Sequence, residues 1–237
     1  MWSALVVGTL APDFEYFLRF APDDGYGHTL KGTFLLTLPV ALAVLWIFHA
    51  VVKAAAVELL PAAIRSRVPA DASPFRFGGA SRFAMIILSI LVGVLTHLAW
   101  DSFTHSNTWI YRQWEMMHVR TEIPGLGATP LFKIFQHGST VFGMGILFVW
   151  VLWWYQRAKP RAVVDGDVSF WPRSIVVFGI VLAGFVGAVI RATLALGVPT
   201  IHIARARFAG LWVTTLIALI WWQLLLYGMW RKRVYRD

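Results

Sequence analysis

The chain has 237 residues, 58% of them hydrophobic and only 14% charged, with a mean hydropathy of +0.65. That balance excludes an ordinary soluble domain and defines a membrane protein. The formal net charge of +9 comes from short basic clusters beside apolar runs, a pattern that suits anionic lipid headgroups and excludes an extended nucleic-acid face.

A spanning helix needs about 20 mainly apolar residues. Met1–Ala11 is apolar but too short to cross alone, and it lacks the basic n-region and cleavage site of a secretory signal, so it reads as the end of a further helix. Five full spans then follow, at about Thr33–Val52, Phe83–Phe103, Ser139–Tyr155, Ser174–Val198 and Ala209–Trp230. The expected architecture is an all-α, multi-pass transmembrane bundle forming one membrane domain over residues 1–237.

Two connections stand out. Residues 53–82 contain Pro61, Pro69, Pro74 and the Gly78-Gly79 pair and read as a solvated connector, in which Ala54–Ile64 is able to lie as a short helix on the membrane surface. Residues 106–138 are too long for a structureless loop and carry Trp109, Trp114, Met116, Met117, Leu126 and Phe132, which predicts an interfacial cap.

Lys and Arg collect on the cytoplasmic side of membrane proteins. Lys53, Arg65, Arg67, Arg76 and Arg82 follow the first full span; Arg157, Lys159, Arg161 and Arg173 follow the third; Arg231, Lys232, Arg233 and Arg236 close the chain. These ends alternate, so the connector and the C-terminus are expected in the cytoplasm and the cap outside. On the outward side Arg19, Lys31, Arg112, Arg120, Lys133, Arg205 and Arg207 are diluted by Asp13, Glu15, Asp23, Asp24, Glu115 and Glu122.

The same orientation gathers candidate ligands at one rim. With no Cys in the chain, metal chemistry is left to His and carboxylates. His97, Asp101 and His105 are four apart and form one stripe on a helix. Ionisable groups bordering the hydrocarbon cost about 2.5 kcal/mol or more each, which marks a functional site. Asp13, beyond the opening helix, His28, before the first full span, and His137, at the start of the third, reach the same level.

Two or three imidazoles with one or two carboxylates suit zinc first, then manganese or iron. The competing readings are structural: a hydrogen-bonded His97–Asp101 pair, a turn carboxylate at Asp13, a loop imidazole at His28, and an N-cap or supporting role for His105. His137 has the further alternative of opening a helix capped by Ser139. His49 reads as a satisfied or snorkelling group, His118 and His202 as solvated, and Arg191 as snorkelling outward or holding an anionic headgroup or acid.

Gly8-Thr9-Leu10-Ala11-Pro12-Asp13-Phe14-Glu15, His28-Thr29, the run from Gly93 to His105, and Leu131 to Thr140 resemble an uncharacterised family of bacterial multi-pass membrane proteins, domain-of-unknown-function family 4184. The Pro-Asp, His-Thr and His-x-x-x-Asp elements are also similar to those of inner-membrane metal-dependent hydrolases and, more distantly, of zinc-dependent phospholipase C. That resemblance implies Asp13, His97 and Asp101 as zinc ligands with His28 as their imidazole partner. It also implies a further histidine-bearing segment before Gly8, so the expectation is either an internal start or a member lacking one ligand.

The resulting expectation is an outward-facing hydrolase of an ester or phosphoester in a lipid or envelope precursor, in the bacterial inner membrane. Asp13, His28, His97 and Asp101, with His105 and His137 as further candidates, would hold the metal. Glu15 and Asp101 are the candidate catalytic carboxylates, Glu15 as general base, and Arg112 or Arg120 would neutralise substrate charge. The competing expectation is a non-enzymatic protein whose polar cluster is structural or binds a lipid headgroup or partner.

Overall fold

The structure, a computed structural model, describes residues 1–22, 25–69, 75–106, 108–124, 127–161, 170–199 and 202–234, with residues 170, 171, 202 and 203 described by backbone alone. Asp23, Asp24, Pro74, Leu126, Arg236 and the His202 side chain, all named above, lie outside the described residues. Among the described residues, five helices are long and apolar enough to cross a membrane.

Helix α1 (Trp2–Leu10) runs into a single 3-10 turn at Ala11–Asp13, where Pro12 interrupts regular helix, and α2 (Phe14–Arg19) follows. A second 3-10 turn at Tyr26–His28 leads into α3 (Leu30–Leu59), capped by Thr29 Oγ1, which accepts from Gly32 N–H at 2.9 Å. Pro39 lacks an N–H, and the helix runs as a π turn over Thr33–Thr37 just before it. A second π turn occupies Phe48–Val52. Short α4 (Ala62–Arg65) precedes the long α5 (Ala80–Thr104).

The cap is built from α6 (Trp109–Gln113), a 3-10 turn at Glu115–His118 and an antiparallel hairpin of β1 (Arg120–Ile123) and β2 (Gly127–Pro130). The long helices α7 (Leu131–Arg157), α8 (Phe170–Leu196) and α9 (His202–Val234) complete the chain. The hairpin is an addition to the all-α expectation.

The helices outrun the apolar runs that announced them. α3 continues to Leu59, so residues 53–59 extend a span instead of opening the connector. α7 starts at Leu131, directly after Pro130, which places His137 within a helix and removes the capping role proposed for Ser139.

Between α1, α3 and α5 the core is Ala4, Val7, Ala11, Ala41, Leu45, Ile86, Ile90 and Val94. Small residues let helix backbones approach, which is how membrane helices gain packing energy without a hydrophobic difference from lipid. The closest approach is between α1 and α5. A Cβ on Gly93 would lie 2.7 Å from Thr9 N, and one on Gly8 would lie 2.8 Å from Ile90 Cα. α8 and α9 form a second pair, burying Ala188, Ala192, Leu211, Thr214, Thr215 and Ala218.

Two polar ties join the pairs. At one end Arg191 of α8 donates to the Phe20 carbonyl at 3.0 and 3.1 Å and to that of Arg19 at 3.4 Å. It thereby caps α2, where Phe20 turns left-handed at φ 55°. Arg191, expected to snorkel outward or hold an anionic group, is exposed and finds these backbone carbonyls as partners. At the other end the Glu58 carboxylate of α3 accepts from Arg231 and from the Tyr227 hydroxyl of α9. His49 is satisfied as expected, hydrogen-bonded to Ser3 Oγ at 3.1 Å and stacked on Phe75.

Candidate metal centre

Three segments converge where α1 ends. The Ala11–Asp13 turn presents Asp13, the glycine turn before α3 presents His28, and the last turns of α5 present His97 and Asp101. His28 Nε2 lies 3.4 Å from Asp13 Oδ1 and 3.5 Å from Asp101 Oδ2. His97 Nε2 lies 3.7 Å from the same Asp13 oxygen and 3.0 Å from the same Asp101 oxygen. One ligand atom from each of Asp13, His28 and His97 falls within 4.8 Å of the others, a spacing that a single cation can span.

The supporting shell fixes the donors. His97 Nδ1 lies 2.8 Å from the Thr9 carbonyl. A carbonyl only accepts, so Nδ1 carries a proton and Nε2 is left to face the two carboxylates, donating to them when the ring is protonated and offering a lone pair when a cation lies between. His97 Nε2 is buried and faces the carboxylate oxygens of Asp101 and Asp13, an arrangement that fits a shared metal ion. The Gly8–Gly93 crossing is what brings the Thr9 carbonyl within reach. Tyr16 of α2 stacks on His28 with ring centroids 5.6 Å apart and planes 16° from parallel.

Glu15, the candidate general base, makes structural contacts that the sequence did not predict. Its buried carboxylate accepts from Gly27 N–H at 2.9 Å and pairs with Arg19. Any side chain at Gly25 would collide with it, and a Cβ on Gly27 would lie 2.9 Å from the Pro12 carbonyl. Thr37 Oγ1 donates to the Gly27 carbonyl at 3.1 Å from the other side. Glu15 therefore clamps the turn that carries His28 against the turn that carries Asp13.

The remaining candidates separate. His105, at the end of α5, lies 3.6 Å from Asp101 Oδ1, on the oxygen that does not face His28 and His97. Its Nδ1 is also 3.2 Å from Thr104 Oγ1, a supporting position. His137 is exposed on α7, outside the group of donors. Arg112 and Arg120 are exposed on the cap, and none of their described contacts reaches the cluster. His118 lies 2.7 Å through Nε2 from the Tyr111 carbonyl, so it braces the cap rather than only facing water.

The family model described as Domain of unknown function (DUF4184) matches residues 1–229. The chain belongs to that family. No curated protein and no solved structure matches it.

Proton linkage gives the cluster a signature without metal. Hydrogen bonds to Asp101 and Asp13 raise His28 from 6.5 to about 9, against the opposing effect of burial. A group raised on folding stabilises fully below its unfolded value, and loses that contribution as pH climbs through its folded one. Metal-stripped protein is therefore expected to lose melting temperature between pH 6.5 and about 9, at up to about 1.4 kcal/mol per pH unit. His28→Gln should flatten that slope in a thermal-shift titration.

Proposed function

We propose that this protein is a metal-dependent hydrolase of the bacterial inner membrane, acting on an ester or phosphoester in a lipid or envelope precursor. The observation that carries the reading is the His97 side chain, anchored through Nδ1 so that its buried Nε2 faces both carboxylates. Asp13, His28, His97 and Asp101 would hold the ion, and this donor set favours zinc over magnesium. Bound there, the ion would supply Lewis acidity to a carbonyl or phosphoryl oxygen. The Lys and Arg distribution supports an orientation with the cluster outside and the C-terminus in the cytoplasm.

The chain's own residues divide the work. His97 and Asp101 ride on a rigid helix, which holds two donors in fixed register. Asp13 and His28 ride on turns whose separation Glu15 sets. Burial around His28 and His97 keeps bulk water from competing for the donors.

Detergent-purified protein should retain zinc at about one equivalent or more and hydrolyse a fluorogenic phosphodiester or phospholipid. Stripping with a chelator should abolish turnover, and zinc should restore it. Glu15→Gln distinguishes clamp from base. As a clamp, it should weaken zinc affinity about tenfold by loosening the His28 turn. As a general base, it would leave zinc affinity intact and lower kcat by about a hundredfold or more.

One observation favours a second reading. His28 Nε2 lies between two carboxylates and can pair with both without a metal, which suits a structural role. Purified protein free of metal, with His28→Gln strongly destabilised, would support that reading.

A further inference from the structure

We infer that Arg191 of α8 is a positioning residue for the metal centre: by holding the C-terminal carbonyls of α2, it sets where α2 grips the turn that carries His28. Its effect on zinc rests on the proposed metal-dependent reading, and its effect on the turn rests on geometry alone.

A helix of six residues is too short to hold itself in place, so tertiary contacts set its position. α2 (Phe14–Arg19) is such a helix. Its first turn engages the metal centre. Glu15 and Tyr16, adjacent on α2, grip Gly27 and His28, adjacent on the turn: the Glu15 carboxylate accepts from Gly27 N–H at 2.9 Å, and the Tyr16 ring stacks on the His28 imidazole.

The other end of α2 is held by the α8–α9 pair. Carbonyls in the last turn of a helix have no partner within it, and a cation there is favourable. Arg191 serves two of them. Its Nε and Nη2 donate to the Phe20 carbonyl at 3.1 and 3.0 Å, and Nη2 also reaches the Arg19 carbonyl at 3.4 Å. Two N–H groups of a planar fork on one oxygen fix direction as well as distance. Beyond Phe20 the chain rests on α9, where a Cβ on Gly210 would lie 3.8 Å from Pro22 Cγ.

The connection is short and selective. It runs from Arg191 to the Phe20 carbonyl, back along α2 to Glu15 and Tyr16, and across to Gly27 and His28. His97 and Asp101 stand on α5 instead, and His97 is anchored through the Thr9 carbonyl. Loss of Arg191 should therefore loosen the His28 half of the centre and leave the α5 half in place.

The test combines hydrogen exchange with mass spectrometry on the metal-free full chain in detergent and zinc affinity by competition with a chromogenic chelator. Arg191 is exposed, so Arg191→Met removes the donors without opening a cavity. Exchange at Gly27–Thr29 should quicken about tenfold, while exchange at Ile86–Val94 of α5 and the melting temperature match wild type. Arg191→Lys keeps a cationic donor for the same carbonyls and should recover most of the protection. Should Arg191→Met disturb folding, Arg191→Gln takes its place with the same expectations. Zinc affinity should fall about fivefold in Arg191→Met, and adding that change to Glu15→Gln should lower it little further, because both act through one turn. Unchanged exchange at Gly27–Thr29, an equal rise in α5, or full additivity with Glu15→Gln would overturn the positioning role. Wild-type protein that binds no zinc would defeat the hydrolase reading instead, and the exchange result would still decide whether Arg191 holds the His28 turn.

Discussion

His97→Ala is expected to lower zinc affinity at least a hundredfold while leaving the protein folded. The His97 ring is fixed from behind, through the Thr9 carbonyl, and among the described residues its buried Nε2 faces the Asp13 and Asp101 carboxylates. Outer-shell substitutions alone typically cost ten- to a hundredfold in metal affinity, so removing a ligand should exceed that. The same change in the metal-free protein deletes a buried imidazole beside Asp101 and should cost no more than a few kcal/mol of stability. Competition with a chromogenic chelator reads the first effect and thermal unfolding the second. A zinc affinity equal to wild type would exclude His97 as a ligand.

Gly93→Leu is expected to damage fold and site together. The space a side chain would need at Gly93 is filled by the α1 backbone, including Thr9 N at 2.7 Å. Backbone cannot yield as a flexible side chain can, so α1 and α5 must separate. Overpacking of this kind costs about 1–3 kcal/mol or more. Separation also draws the Thr9 carbonyl from His97, so zinc affinity should fall by at least tenfold in whatever fraction remains folded. Gly138→Leu is the control. A Cβ there meets nothing within 4 Å, and both stability and zinc affinity should match wild type. Equal behaviour of the two variants would contradict a close α1–α5 crossing.

The spans were legible because long apolar runs have few alternatives in a polypeptide. Their ends were less so: helix continues through Lys53–Leu59 and Leu131–Gly138, where polar residues leave the membrane without breaking the hydrogen-bond ladder. The hairpin was missed because strands of four residues carry almost no periodicity. Its cue was the Pro124-Gly125 pair between Thr121–Ile123 and Gly127–Thr129.

The site divided along similar lines. His97 and Asp101 announced themselves by helical spacing and by the cost of placing them beside lipid. Asp13 and His28 join them in space, although no periodicity links residues so far apart in the chain. The sequence put His137 at the same rim, but it projects from a different helix, and an expected level alone does not bring side chains together. The Thr9 carbonyl was invisible, since every residue has one and only the Gly8–Gly93 crossing delivers it. Glu15 looked like a base because a carboxylate beside Asp13 invites that role. The glycines at 25 and 27 were the overlooked signal that its side chain packs against backbone.

The most direct test is zinc K-edge X-ray absorption on protein loaded with one equivalent of zinc. The account predicts a shell containing two imidazoles and carboxylate oxygens at about 2.0–2.2 Å, with one imidazole lost in His97→Ala. A shell of oxygen alone, or a spectrum unchanged by His97→Ala, would contradict it.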